Sequence, residues 1–258
     1  GRAVTIGEAG IASSIGGIPF YNNDTTSIYT HDVSGTDNTA THNTAYGITA
    51  MDAITTGDAN TAIGWSAAGA LNTGTQNTAV GKGALASATS AGSNTAIGWN
   101  AAYAVTTGTT AITAIGDGAY NGAGDAETHN MAIGVNAMAA GSLAGAEYNV
   151  AIGNYALDAI TSGDNAVAIG YQAGTACTTA GDSVLIGYQA GASITTGGGN
   201  LFIGKNAGDG FDAENWNLGI GSNSLGGAIA GGEYNVAVGA NTLDALTSGD
   251  YNIAIGYN

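Results

Sequence analysis

The sequence predicts an all-β protein, a parallel β-solenoid of about 17-residue rungs. Three observations carry that expectation. A five-residue phrase, Asn-x-Ala-(Ile/Val)-Gly, recurs, as in Asn60-Thr61-Ala62-Ile63-Gly64 and Asn77-Thr78-Ala79-Val80-Gly81. Degenerate copies included, its closing glycine stands at Gly47, Gly64, Gly81, Gly98, Gly116, Gly134, Gly153, Gly170, Gly187, Gly204, Gly221, Gly239 and Gly256, in steps of 17 to 19 residues. Such self-similarity marks stacked units that touch mainly their neighbours. The composition agrees: among 258 residues there are 45 Gly, one Pro and only 9% charged residues. Glycine is not every third residue and Pro19 stands alone, which excludes collagen.

Residues 1–42 read as irregular N-terminal rungs or an excursion. A weak copy of the phrase, Ala3-Val4-Thr5-Ile6-Gly7, is followed by a stretch holding the proline, His31 and His42. Residues 43–258 read as one continuous array. In each rung the phrase alternates faces like a strand, so Thr61 and Ile63 point one way and Ala62 the other. The closing glycine allows a positive φ that closes a bend. A second short strand is expected after it, as in Trp65-Ser66-Ala67 or Tyr171-Gln172-Ala173. A turn such as Thr161-Ser162-Gly163-Asp164-Asn165 then leads back. The recurring Asn60, Asn77, Asn94, Asn130, Asn149, Asn200, Asn217, Asn235 and Asn252 are expected to form a ladder that bonds backbone groups and its own members. Rungs stacked ~4.8 Å apart over about 12 steps give a body roughly 60 Å long.

The small residues imply a thin interior of Ala and Gly with no bulky position. Either the alanine face or the Ile/Val face of the strand lies inside. The other is an apolar stripe along the whole body, larger than a soluble monomer tolerates. The pattern therefore favours a lengthwise homo-oligomer with cyclic symmetry.

Net charge is −16, from 19 acids against Arg2, Lys82 and Lys205. Three cations cannot neutralise a phosphate track, which argues against nucleic acid, and they give no hold on anionic membranes. No apolar run approaches the ~18 residues of a membrane-spanning helix, so no membrane insertion is expected in this segment. Cys177 is the only cysteine; its place in Thr175-Ala176-Cys177-Thr178 reads as a variable loop position. The chain opens at Gly1-Arg2 without Met, as a processed product or a piece of a longer protein does.

The phrase Asn-x-Ala-Ile-Gly-x-x-Ala resembles the head repeats of YadA-like trimeric autotransporter adhesins. Ala168-Ile169-Gly170-Tyr171-Gln172-Ala173-Gly174 and Leu185-Ile186-Gly187-Tyr188-Gln189-Ala190-Gly191 are similar to repeats in phage tail-fibre proteins. The resemblance covers residues 43–258 and leaves residues 10–42 unmatched. The adhesin heads repeat at a shorter period, and the longer turns here tilt the resemblance toward the phage type. It implies a left-handed parallel β-roll, a homotrimer of parallel chains, and attachment to a host or other surface. The implied location is extracellular, on a virion or, alternatively, a bacterial cell surface.

No catalytic residues and no cofactor are assigned. His31, His42 and His129 are scattered, with none in a repeat column beside Asp and Ser. The group His31, Asp32, Asp37 and His42 has no zinc spacing. The Gly-Asp turns at Asp58, Asp164, Asp182 and Asp250 lack the glycine run of calcium rolls and read as ordinary Asp turns, so no metal site is assigned. The candidate binding residues are an aromatic row just after the phrase glycine: Trp65, Trp99, Tyr171 and Tyr188, alternating with Lys82, Asp117 and Asn154. A position that accepts Trp, Lys and Asp faces solvent, and aromatic rings there suit a host-surface glycan or a protein receptor. The turns Asp125–His129, Ala146–Tyr148, Asp212–Trp216 and Gly232–Tyr234 are expected to form an acidic and aromatic fringe along one edge. The reading is a non-enzymatic fibre segment used in host attachment. An ice-binding solenoid, from the paired threonines Thr55-Thr56 and Thr195-Thr196, and a repeat-built glycan lyase are the weaker alternatives.

Overall fold

A computed structural model describes residues 13–15, 18–20, 28–29, 39–122, 128–140, 143, 145–227 and 231–258. Among these residues there are sixteen strands and no α-helix. Ser13–Ile15 and Ile18–Phe20 pair as an antiparallel hairpin. Ile28–Tyr29 and the thirteen phrase strands, from Thr44–Tyr46 to Ile253–Ile255, form one 14-stranded parallel sheet in strict sequence order. Register is in phase throughout: Val150, Ala151 and Ile152 stand opposite Val167, Ala168 and Ile169. The result is a β-solenoid of about 12 turns. Of residues 1–42, the hairpin, the strand that extends the stack and residues 39–42 are described.

The strand shows which face lies inside. Ala62, Ala79, Ala96, Ala114, Ala132 and Ala151 are buried, while Thr61 and Ile63 and their equivalents face outward. The phrase glycine is required twice over. Gly64 has φ +135°, and a Cβ built on it would lie 2.6 Å from the carbonyl oxygen of Gly81 in the next rung. A side chain there is strained and overlaps the stack.

The segment after the glycine corrects one expectation: it is a chain of turns, not a second strand. Alternate residues adopt left-handed φ, Ser66 at 55° and Ala68 at 47° on either side of Ala67. Their N–H groups reach opposite neighbours: Ser66 donates to Ile48 O (2.9 Å) and Ala68 to Ala84 O (2.8 Å). Alternating φ also has a period of two, so the in–out pattern of residue types is the same as a strand's. Each left-handed non-glycine residue costs about 1–2 kcal/mol, which inter-rung hydrogen bonds and burial offset.

The interior is also less thin than composition implies. Besides the strand alanines it holds one column of Met51, Leu85, Tyr120, Met138 and Leu157 and another of Ile54, Leu71, Val105, Ile160, Ile194 and Phe211, all buried. Bulky residues fit because glycines face them. Where the strand carries Leu185 and Phe202 instead of alanine, the facing column carries Gly174, Gly191 and Gly208. A Cβ on Gly174 would lie 2.8 Å from Leu185 Cδ1, and one on Gly208 would run into the Phe202 ring. Phe202 then packs on Phe211, ring centroids 5.1 Å apart. Volume is conserved across rungs, as a close-packed core requires. Cys177 belongs to this core and not to a loop: it is fully buried in the column between Ile160 and Ile194.

The asparagine ladder lies inside the coil. Asn77 Nδ2 donates to Ala91 O (2.8 Å), and its Oδ1 accepts the backbone N–H of Asn94 (3.1 Å). Asn43, Asn60, Asn149, Asn200 and Asn217 repeat the pattern. Each buried amide thus satisfies backbone groups where the turn enters the strand. The ladder lapses at Ile112, Ala166 and Ser183. At the first lapse Tyr120 Oη takes up an amide hydrogen of Asn130 (3.1 Å); at the last, Ser183 Oγ accepts the N–H of Asn200 (3.2 Å).

Candidate functional site

Three surfaces run along the solenoid. The first is the outer face of the sheet. Its two columns hold Thr61, Thr78, Met131, Val150, Val167 and Leu201 and, two residues on, Ile63, Val80, Ile133, Ile152, Ile169 and Ile203. Stacking on like residues half-buries most of these side chains, yet Ile63 remains 41% exposed. Three-residue strands present a strip ~10 Å wide, and twelve steps of ~4.8 Å give ~58 Å of length, roughly 600 Å² in projection.

The second surface is the row after the phrase glycine. Trp65, Trp99, Tyr171 and Tyr188 are all exposed. They form two islands, not one track. Tyr171 stacks on Tyr188 at 5.4 Å with 18° between ring planes, and Tyr155 meets Tyr171 edge-on at 6.1 Å. Trp65 and Trp99 are two rungs apart, and the rung between carries Lys82, whose Nζ sits 5.0 Å over the Trp65 ring. Asp117, Val135 and Asn154 separate the islands.

The third surface is the turn edge that precedes each strand. Here His129 stacks on Tyr148 (5.0 Å) and Tyr234 on Tyr251 (5.1 Å), and Trp216 is 57% exposed. Glu233 Oε1 accepts from Asn215 Nδ2 (2.9 Å). Two parts of the expected fringe differ. Residues 125–127 lie outside the described residues. Glu214 points inward: its carboxylate accepts the N–H groups of Asp212 (2.9 Å), Ala213 (3.1 Å) and Gly231 (2.9 Å). A loop that wraps a carboxylate this way explains how an acid is accommodated in a column held mostly by glycine and alanine.

The Gly-Asp turns are used for bonding between rungs. Asp58 Oδ1 accepts from Thr41 N (2.6 Å), Asp164 Oδ1 from Glu147 N (2.8 Å) and Asp250 Oδ1 from Glu233 N (2.9 Å). Asp182 Oδ1 accepts from the Asn165 side chain (3.3 Å). Among the described residues no group of three His, Cys, Asp or Glu could hold a metal ion. His31, Asp32 and Asp37 lie outside them. Burial raises the carboxyl pKa of Asp158 and of Asp209, which share the column five residues past the phrase glycine. Among the described residues no helix is long and apolar enough to cross a membrane.

Sequence reasoning placed Trp216 in the fringe but missed its setting. The signal was available: in the turn column Asp164, Gly181, Gly198, Asn215, two adjacent rungs carry glycine. The surface between them is recessed as a result. No protein-family model, curated protein or solved structure matches the chain.

Proposed function

We propose that this chain is a structural and adhesive fibre segment, without enzymatic activity, used in host attachment, in a phage fibre on the virion surface. The observation that supports it is the outward apolar strip of the sheet. At roughly 600 Å² it reaches the upper limit of what a soluble monomer leaves open, and it approaches the ~800 Å² one partner contributes to a stable interface. Rungs of like pattern stack in phase, so parallel copies of the same chain cover the strip along their length. Three copies are the number that the YadA-like resemblance implies. The assembly is a stiff rod whose sides display the Trp65/Trp99 and Tyr171/Tyr188 islands to a glycan or protein on the host. A bacterial cell-surface trimeric adhesin uses the same physics, and the phrase Asn-x-Ala-Ile-Gly-x-x-Ala favours it as the second reading.

The test is adsorption of the labelled chain to a panel of bacterial cells and isolated envelope polysaccharides. Saturable adsorption, weakened by Trp65→Ser with Trp99→Ser while the circular dichroism stays unchanged, is the expected result. Thermal hysteresis or depolymerisation of a polysaccharide by the purified chain would overturn it.

A further inference from the structure

The turn edge contains a trough, of about 360 Å³, at the place where two adjacent rungs lack side chains. Gly181 and Gly198 form its floor. Asp164 closes one end, and Asn215 and Trp216 close the other, three rungs away, or ~14 Å at ~4.8 Å per rung. The exposed Ser162, Thr179 and Thr196 line one side, and Asn165 and Asp182 the other. Its size falls at the lower end of the ~300–1,000 Å³ of small-ligand sites.

From this arrangement we infer that the trough binds a neutral saccharide lying along the fibre axis. An exposed indole offers an apolar face for a sugar ring. Gly199 is what lets it lie there: a Cβ on Gly199 would fall 2.5–2.8 Å from three atoms of the Trp216 ring. The hydroxyls of Thr179 and Thr196 and the free edges of Asp182 and Asn165 provide donors and acceptors at rung spacing. That mixture suits vicinal hydroxyls, which both donate and accept. The end wall is fixed by the chain's own bonding, since Asn215 Oδ1 accepts the N–H of Gly198 (2.8 Å). The two carboxylates face no cation within the trough, and the chain carries −16 overall, so acidic sugars are repelled. This deepens the adhesive reading by naming a ligand class, and it rests on that reading only for the source of the sugar.

The test is calorimetric titration of the whole chain with maltotetraose, cellotetraose, chitotetraose and mannotetraose, and with tetragalacturonate as the acidic comparison. At least one neutral probe binds with Kd at or below about 1 mM, near −4 kcal/mol, and tetragalacturonate binds at least tenfold more weakly. Thr179→Arg, which fills the trough from an exposed position, and Trp216→Ala each weaken binding at least tenfold with unchanged circular dichroism. Failure of all four neutral probes to saturate at about 10 mM overturns the inference, as does binding that survives Thr179→Arg. Adsorption to cells that persists in Thr179→Arg while sugar binding fails leaves the attachment reading standing and removes the trough from it.

Discussion

Replacing Asn77 by alanine removes one step of the buried ladder and leaves the backbone path intact. The wild-type amide donates to Ala91 O (2.8 Å) and accepts from Asn94 N (3.1 Å), and it also meets Asn60 Oδ1 (3.0 Å) and Asn94 Nδ2 (3.2 Å). The alanine variant leaves the Ala91 carbonyl and the Asn94 N–H without these partners in a buried site. An orphaned buried polar group costs ~1–3 kcal/mol, so two cost about 2–6 kcal/mol. In a solenoid this loss appears first as local opening around the affected rungs. Amide exchange reads it directly. The Asn94 N–H should lose protection by at least ~30-fold, since every 1.4 kcal/mol is tenfold, and amides many rungs away, near Val184, should keep theirs. Asn77→Asp separates the two roles: it keeps the acceptor for Asn94 but sets a carboxylate against the Ala91 carbonyl, and should destabilise at least as much. Unchanged protection at Asn94 in Asn77→Ala would show that the ladder does not hold the rungs and that packing alone does.

The converse change repairs a natural lapse. Ala166 donates its backbone N–H to Asn149 Oδ1 (2.8 Å) but offers no amide to the following rung. Ala166→Asn should raise stability by about 1 kcal/mol, seen as a higher denaturant midpoint; a lower one would mean the site cannot hold the amide. Burial pushes the Cys177 thiol up to about 12. The neutral thiol therefore dominates across ordinary pH, and maleimide or iodoacetamide at pH 8 should label Cys177 only after unfolding; prompt labelling of the folded chain contradicts its place in the core. Ile169 faces outward, so Ile169→Asp should leave the β circular dichroism intact and weaken chain association; loss of the fold itself would place Ile169 inside.

Much of the fold was legible because each rung repeats the same demands. The glycine column is forced by φ and by the next rung's carbonyl, and the asparagine column by buried backbone groups, so the first is a fixed letter from Gly47 to Gly256 and the second recurs except at Ile112, Ala166 and Ser183. Two features were not legible for physical reasons. Ser66, Ala68 and Leu85 adopt left-handed φ at a period of two, which is a strand's period and masks the Gly83, Asn100, Gly118 and Asn136 that recur in the column of Ser66. The choice of inside face depends on what fills the coil opposite the strand. That emerges only when Leu185 and Phe202 are matched with Gly174, Gly191 and Gly208 across three rungs. At the candidate site, exposure of Trp65, Trp99, Tyr171 and Tyr188 followed from the mixed chemistry of their column. Their division into two islands needed the intervening rungs, and Glu214 turned inward because three backbone N–H groups converge on it.

The central claim is that the outward Ile/Val strip is covered by parallel copies of the same chain. Sedimentation equilibrium of the folded chain measures this most directly. The predicted mass is three times 24.9 kDa, about 75 kDa, falling toward the single-chain value in Ile169→Asp. A stable, folded 24.9 kDa species at all concentrations would contradict it.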